Sequence, residues 1–198
     1  MGIKTLLALS DGSFVENPRH TARYERQLVI AQRELSRKQG ARKGETPSKN
    51  YEKQRIKVAR IHERIANSRK DTLHKATTAL IKENQVICIE TLKSSEMMKN
   101  HQLAKSVADA SFDEISRQLQ YKAAWYGREL IKVGKWFPST KTCSHCGHIQ
   151  EIGLDERIFE CHACGKKINR DSNAAWNILS EGIRIRSERN ARESYPRS

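Results

Sequence analysis

The sequence predicts an α/β protein with a mixed sheet, into which a basic helical hairpin and a cysteine-rich ribbon are inserted. Three observations support this prediction. Residues 85–90 form a short apolar run with the length and β-branched content of a buried strand. Long helical patterns precede that run, and two Cys-x-x-Cys pairs follow it.

Composition and charge restrict the class of partner. The 198 residues carry a net charge of +14, which favours DNA or RNA through phosphate contacts and counterion release. No run of eighteen apolar residues is present, so we expect no membrane span. The first residues lack the pattern of a secretory signal, which predicts a cytoplasmic protein with reduced cysteines. The oligomeric state stays open.

The first residues predict a β-hairpin. Residues 3–9 are mostly apolar, residues 10–13 read Ser-Asp-Gly-Ser, and residues 14–16 resume a strand pattern. Asp-Gly between two such runs is a strong hairpin signal. Asn17 and Pro18 then end the second strand.

A helical hairpin is predicted next, with helices at 21–39 and 50–82 and a Gly/Pro/Ser-containing loop at 40–48. Between Arg19 and Lys82 there are eighteen Lys or Arg against six Asp or Glu. Internal pairing between neighbouring helical turns cannot neutralise such an imbalance. A phosphate-facing arm is therefore favoured over the alternative, an ordinary solvated face.

The apolar run at 85–90 ends in Glu90, and strand ends are where α/β enzymes collect catalytic groups. A solvated strand terminus is the alternative for Glu90 alone. Cys88, within the run, is interpreted as a small buried hydrophobic residue. Residues 91–102 are polar, and we expect them to be irregular.

The next segment predicts a helix followed by a strand. Ser111 and Glu114 fit a capping box for a helix whose apolar positions continue to Leu130. Residues 131–137 then predict a strand that Pro138 ends. Trp136 is interpreted as a core residue rather than a base-stacking platform.

Four cysteines then predict a zinc site: Cys143, Cys146, Cys161 and Cys164. Each pair lies on a tight turn, with Gly147 or Gly165 available for positive φ, and fourteen residues separate the pairs. Disulfides or redox chemistry are the alternatives, and the expected reducing compartment disfavours disulfides. The neighbouring histidines at 145, 148 and 162 are expected at the surface, because four thiolates complete a tetrahedral shell.

A last helix is predicted from the stretch at 169–178, NRDSNAAWNI. Asp171 or Ser172 is a candidate N-cap for it, which is the structural alternative to a catalytic role for Asp171. Residues 180–198 are rich in Arg and poor in apolar residues, so we expect a frayed basic tail.

Three stretches together resemble one protein family. ETLKSSEMMKN after the apolar strand, STKTCSHCG with CHACG, and NRDSNAAWNI are similar to the C-terminal half of TnpB, the transposon-encoded RNA-guided DNA endonucleases. The resemblance implies a RuvC-like domain of RNase H fold with three catalytic carboxylates, a zinc ribbon before the final helix, and DNA and guide-type RNA as partners. By this resemblance Glu90 corresponds to the second carboxylate and Asp171 to the third. Mg²⁺ is the catalytic ion that such carboxylates bind.

The sequence departs from the family at its start. The family's first carboxylate lies in a G-x-D-x-G strand just ahead of residues 3–9, and that strand is expected to be missing here. Asp11 is the nearest replacement, but its Ser-Asp-Gly-Ser setting indicates a turn. The implied organisation is a RuvC-like core at 1–18, 84–138 and 169–180, the hairpin at 19–83, the zinc ribbon at 139–168 and the tail at 181–198.

This interpretation leaves three alternative functions. The first is a truncated TnpB-type protein that binds zinc and nucleic acid and has an incomplete nuclease site. The second is an active RNA-guided endonuclease, if an upstream Asp is restored. The third is a nuclease-dead nucleic-acid-binding regulator. An in-frame G-x-D-x-G upstream would distinguish the first two.

Overall fold

The computed structural model describes residues 1–38, 46–153 and 155–194. The chain divides into two units, one formed by Met1–Asn17 with Ala76–Ser198 and the other by Pro18–Lys75. None of the described helices is long and apolar enough to cross a membrane. The elements in chain order are β1 (Thr5–Ala8), β2 (Phe14–Glu16), α1 (His20–Ser36), α2 (Lys49–Glu83), β3 (Val86–Glu90), α3 (Ser94–Met97), α4 (His101–Ala110), α5 (Phe112–Tyr126), β4 (Glu129–Val133), β5 (Ile158–Glu160), β6 (Lys167–Asn169) and α6 (Arg170–Ser194).

The predicted β-hairpin is confirmed. Strands β1 and β2 pair antiparallel, and Gly12 takes a φ of +87° in the turn between them. The Asp11 carboxylate accepts from Ser13 N at 2.8 Å and from Ser13 Oγ at 2.6 Å. These two bonds lower the pKa of the exposed Asp11 side chain. Asp11 is thus committed to its turn, as its sequence setting predicts.

Strands β3 and β4 pair in parallel along their full length, with Val86 opposite Glu129 and Glu90 opposite Val133. Helices α3, α4 and α5 form the crossover between them. Helix α5 buries Ile115 and Leu119, and α6 packs against both strands. The core of this unit is apolar and almost fully buried. It includes Leu6, Ile81, Phe112, Ile115, Leu119, Ile131 and Val133.

The predicted single mixed sheet is not formed. Among the described residues, β1 pairs only with β2, β3 only with β4, and β5 only with β6. Residues of β1 and β3 instead line a cavity of about 470 Å³ between them. Both strands therefore keep an edge without a strand partner in the described chain.

Helices α1 and α2 form an antiparallel hairpin. Ala31 O accepts from Gln54 Nε2 at 3.0 Å, and His20 Nε2 lies 3.0 Å from Thr72 Oγ1. The start of α1 therefore contacts the later part of α2, and the end of α1 contacts the start of α2. The predicted loop at 40–48 falls largely outside the described residues.

Two local predictions for residues 91–111 are wrong. Residues 91–102 are not irregular, because they contain α3 and the start of α4. Ser111 does not form a capping box, since its φ is +53° and its hydroxyl donates to Ala108 O at 2.9 Å. The side chain therefore closes α4 rather than capping α5.

Predictions for residues 131–137 and for the tail also need correction. Strand β4 ends at Val133, and Phe137 N donates to Gly134 O at 3.1 Å in a turn, so Trp136 is 86% exposed instead of lying in the core. The tail is not frayed up to Ser194, because α6 continues to that residue. Pairing of Arg184 with Glu181 and Glu188 along the helix surface supports the continuation.

Candidate metal centre and carboxylate cleft

The four cysteines converge on one point. Their Sγ atoms all lie within 4.8 Å of one another, with Cys143 and Cys164 at 3.8 Å and Cys146 and Cys161 at 3.6 Å. Four thiolates around zinc, at a Zn–S distance of about 2.3 Å, would be separated by about 3.8 Å along each tetrahedral edge. The cluster therefore has the dimensions needed to hold a metal ion such as zinc.

Two similar turns present these thiols. Gly147 N donates to Cys143 O at 2.9 Å, and Gly165 N donates to Cys161 O at 2.8 Å. Both glycines have positive φ, 77° and 68°, as the spacing predicts. The second turn joins the antiparallel strands β5 and β6. The turns thus hold the two cysteine pairs at one point through the backbone.

The surroundings of the thiols are also consistent with a metal centre. Burial raises the pKa of the Cys161 thiol, but hydrogen bonds from the N–H groups of Cys164 and Ala163 bring it down to about 6. The lowered pKa favours the thiolate of Cys161, which is the form that binds a metal ion. The three nearby histidines are exposed, as expected. Phe159, Ile152 and Ile168 pack beside Cys143 and Cys161 in a small apolar core.

Two asparagines of α6 attach the ribbon to the rest of its unit. Asn173, which is 0% exposed, donates from Nδ2 to Thr142 O at 2.7 Å and accepts from Ser144 N at 2.9 Å. One turn later, Asn177 Nδ2 donates to Ser139 O at 2.7 Å and to Thr142 O at 2.6 Å. The first cysteine turn is therefore fixed to the helix that carries Asp171.

Asp171 is not the cap of α6. Asn169 Oδ1 accepts from Asp171 N at 2.9 Å and from Ser172 N at 3.2 Å, so Asn169 satisfies the first backbone donors. The predicted capping role of Asp171 or Ser172 is thus wrong. The Asp171 carboxylate is 39% exposed, and its nearest ion-pair partner is Arg170 Nε at 3.9 Å. Its oxygens are therefore available to another ligand.

Glu90 closes β3. Thr91, the next residue, donates from N and Oγ1 to Val133 O at 3.2 and 2.8 Å, which fixes the chain as it leaves the strand. The Glu90 side chain is 26% exposed, and Oε1 accepts from the Met1 amino group at 2.5 Å. Glu90 Oε1 therefore has a donor within hydrogen-bond distance in the structure.

Glu90 and Asp171 line one small cleft of about 80 Å³. Its other walls come from β1, the segment at 139–140 and the first turns of α6. Glu90 also borders a second cleft of about 220 Å³, beside Lys93, Glu96 and Lys135. The structure thus places both sequence-predicted carboxylates at the same opening, although 80 residues separate them in the chain.

Sequence reasoning missed three residues that position the site: Asn173, Asn177 and Gly182. The asparagines lie four residues apart in the same stretch as Asp171, a spacing that places both on one helix face. Buried side-chain amides require hydrogen-bond partners, so this spacing could have predicted that the two asparagines bond to another segment of the chain. Gly182 had no comparable signal, because it lies inside an otherwise ordinary helical pattern.

Fold and site together define an α/β protein whose four-cysteine ribbon is fixed to a helix beside a cleft that two carboxylates line. Residues 1–101 match the family described as "Probable transposase", and residues 112–178 match "Cas12f1-like, TNB domain". The first match covers half of the sequence. The chain belongs to the TnpB family.

Similar proteins carry names from that family. A "Putative RNA-guided DNA endonuclease" of Streptomyces pristinaespiralis is 45% identical over 92% of this chain and 44% of that protein. InsQ of Escherichia coli (strain K12), also named "Putative RNA-guided DNA endonuclease", is 36% identical over 91% of this chain and 47% of its own length. The chain therefore spans less than half the length of these curated relatives.

Solved structures share the fold. One similar structure is titled "Cryo-EM structure of the Cas12f1-sgRNA-target DNA complex". The two chains align with a TM-score of 0.55 and 20% sequence identity, and the alignment covers 84% of this chain and 43% of the other. A second is titled "Cryo-EM structure of CRISPR-Cas12f Ternary Complex". Its chain aligns with a TM-score of 0.56 and 22% sequence identity, and the alignment covers 84% of this chain and 34% of the other. At these identities the similarity concerns the fold.

Proposed function

We propose that the chain is a TnpB-type protein that binds DNA and RNA and contains an incomplete RuvC-like site for metal-dependent DNA cleavage. The observation that carries the proposal is the shared cleft of Glu90 and Asp171. In this proposal residues 1–18, 84–138 and 169–180 form the nuclease core, 19–83 the basic hairpin, 139–168 the zinc ribbon and 181–198 a basic extension.

The two carboxylates fit a hard divalent cation such as Mg²⁺. Both side chains are partly exposed to one opening, and carboxylate oxygens are the ligands that Mg²⁺ prefers. Bound there, the ion would activate water and stabilise the leaving oxygen of a phosphodiester. Glu90 would supply its oxygens from a fixed strand end, and Asp171 from the first turn of α6, which Asn169 caps.

The proposed site needs a third carboxylate to be complete. A further strand that carries it could occupy the cavity between β1 and β3. Each of these strands lacks a partner along one edge within the described residues, and both line the cavity. A further strand there would pair with β1 and β3 and would bring its own side chains to the cleft. Asp11 does not supply this group, because Ser13 holds it in the turn.

Zinc has a structural role in the proposal. Four thiolates complete the tetrahedral shell, so no coordination position remains for catalysis. With zinc bound, the ribbon holds residues 139–144 against Asn173 and Asn177. The metal would therefore stabilise the wall of the cleft that Ser139 and Thr140 form.

The hairpin supplies the proposed contacts to nucleic-acid phosphates. Four exposed cations follow one face of α2 at intervals of three and four residues, and no described residue pairs with them. They are Lys53, Lys57, Arg60 and Arg64. Such a row suits a phosphate backbone. The names of the relatives, which specify RNA-guided action on DNA, support both nucleic acids as partners.

The test compares this chain with one extended upstream by a strand that carries an acidic residue. Both are purified, the RNA and DNA that copurify are sequenced, and cleavage is measured in Mg²⁺ and Mn²⁺. We expect both chains to retain nucleic acid and only the extended chain to cut. Efficient cutting by the short chain would show that its site is complete. Retention without cutting by either chain would favour a nuclease-dead regulator.

A further inference from the structure

Among the described residues, the most exposed aromatic side chain is Trp136, at 86%. Tryptophan is highly buried on average, so an indole left almost entirely in water is a candidate contact for another molecule. The turn in which Phe137 N bonds to Gly134 O presents the indole to solvent. Trp136 therefore lies in a turn after the end of β4 and not in a buried strand.

Trp136 stands beside the 220 Å³ cleft that leads to Glu90. Its two sequence neighbours, Lys135 and Phe137, both line that cleft, and so does Glu90 itself. The Trp136 indole does not itself line the cleft, but its ring lies next to the ammonium group of Lys135, which does.

Two lysines line the same cleft. Lys135 Nζ lies 4.7 Å from the centroid of the Trp136 ring and 2.5 Å from Glu96 Oε2. Lys93 Nζ lies 3.1 Å from the other oxygen of the same carboxylate. Two ammonium groups therefore share one carboxylate, and the cluster retains one positive charge. An aromatic platform beside such a charge is the combination that binds a base together with its phosphate.

We propose that Trp136 stacks a nucleobase of a single strand of DNA or RNA, and that Lys93 and Lys135 contact its backbone, so that the strand enters the cleft toward Glu90. A single strand fits because its bases are free to stack, whereas a duplex keeps them paired inside. This inference rests on the proposed nucleic-acid function and adds the residue that positions the strand.

Trp125 provides a matched control. It is also exposed, at 76%, but it belongs to α5 and is in edge contact with Tyr121 at 4.7 Å. Unlike Trp136, it has no sequence neighbour that lines the cleft containing Glu90. Its removal therefore changes exposed aromatic area without changing the proposed platform.

The experiment measures fluorescence anisotropy with labelled 20-nucleotide oligo-dT, 20-nucleotide oligo-U and a 20-base-pair DNA duplex. The buffer contains neither Mg²⁺ nor a chelator, so that cleavage is prevented and the zinc stays bound. Trp136→Leu should weaken single-strand binding about 5- to 150-fold, the range for losing one base–aromatic stack. Trp136→Phe should retain most of the affinity, and Trp125→Leu and duplex binding should change little. The oligo-dT and oligo-U arms show which nucleic acid the platform prefers.

Two results would overturn the inference. One is a Trp136→Leu variant that binds single strands as tightly as the unmodified chain. That result would contradict the stacking role of Trp136 without contradicting the proposed nuclease site. The other is equal loss on single strands and duplex, which would indicate a general structural effect of the substitution and not the loss of a base stack. If the unmodified chain binds none of the three probes, the inference and the proposed nucleic-acid function fail together.

Discussion

Gly182 of α6 lies directly against Cys88 of β3, so closely that a Cβ on the glycine would be 2.3 Å from the Cys88 Sγ. This contact sets how near the helix approaches the strand. Cys88 and Glu90 share one face of β3, and Asp171 precedes Gly182 by eleven residues, about three turns of α6. The close approach therefore helps to bring the two carboxylates to one cleft.

Gly182→Ala should destabilise the protein by about 1–3 kcal/mol, because overpacking exceeds the roughly 1 kcal/mol that alanine gains from helix propensity. The free energy of unfolding measured in urea tests this. Gly134→Ala is the control, since open space surrounds that position.

A double-mutant cycle assigns the Gly182→Ala effect to its partner. In a Cys88→Ala background the thiol contact is gone, so the penalty should shrink, although a contact at 2.7 Å to the remaining Cβ persists. If Gly182→Ala lowers the free energy of unfolding equally with and without Cys88→Ala, within about 0.5 kcal/mol, the Cys88 thiol does not limit how closely α6 approaches β3.

The metal centre should hold one zinc ion per chain. Cys161→Ser should remove that ion and lower the melting temperature, because metal binding supplies folding free energy to small ribbons. Elemental analysis and thermal unfolding measure both effects. Cys88→Ala is the matched cysteine control and should keep the zinc. If the metal-free protein melts at the same temperature as the metal-bound one, the structural role of zinc is wrong.

The buried amide of Asn173 should be required for the ribbon to dock on α6. Asn173→Ala should cost about 1–3 kcal/mol, because Ser144 N loses its acceptor and Thr142 O keeps only the bond from Asn177. Asn173→Asp should cost more, since it places a buried charge beside the Thr142 carbonyl oxygen. Urea unfolding and the rate of zinc removal by a chelator measure these effects.

Asn190→Ala controls for the loss of an asparagine from α6, because Asn190 is exposed. Unfolding free energies for Asn173→Ala and Asn173→Asp that match the Asn190→Ala value would contradict the docking role.

The cation row on α2 should determine the salt dependence of nucleic-acid binding. Replacing Lys57, Arg60 and Arg64 with Gln should reduce the slope of log Kobs against log [salt] on duplex DNA by about 2–3, near 0.9 for each lost phosphate contact. Binding titrations between about 50 and 200 mM salt give the slope.

The control for the cation row replaces two cations that already have acidic partners, Arg55 beside Glu52 and Lys75 beside Asp71. An unchanged slope in the triple variant, or an equal change in the control, would remove the row from the interface.

Local patterns predicted much of the fold and the site. The two cysteine pairs, the strand ending in Glu90 and the helix starting near Asp171 are each encoded within about ten residues, and the structure contains all three. Their spacing specifies backbone geometry directly, as the positive φ values of Gly147 and Gly165 show.

The remaining features depend on tertiary context. Trp136 follows a strand pattern, and only the turn at Gly134 reveals that the strand has ended. Asn169 rather than Asp171 caps α6, because β6 runs into the helix without a linker. The separation of β1 from β3 depends on which strands are present to pair, which no local pattern encodes.

The central claim is that Glu90 and Asp171 serve one metal-dependent site. It is tested most directly by DNA cleavage in the upstream-extended chain with Glu90→Gln, Asp171→Asn, both changes, and Asp11→Asn as the turn control. Each single change should reduce the cleavage rate about 100-fold or more, the double variant should be little worse than either, and Asp11→Asn should leave the rate intact. Cleavage that survives Glu90→Gln or Asp171→Asn at the unmodified rate would contradict the account.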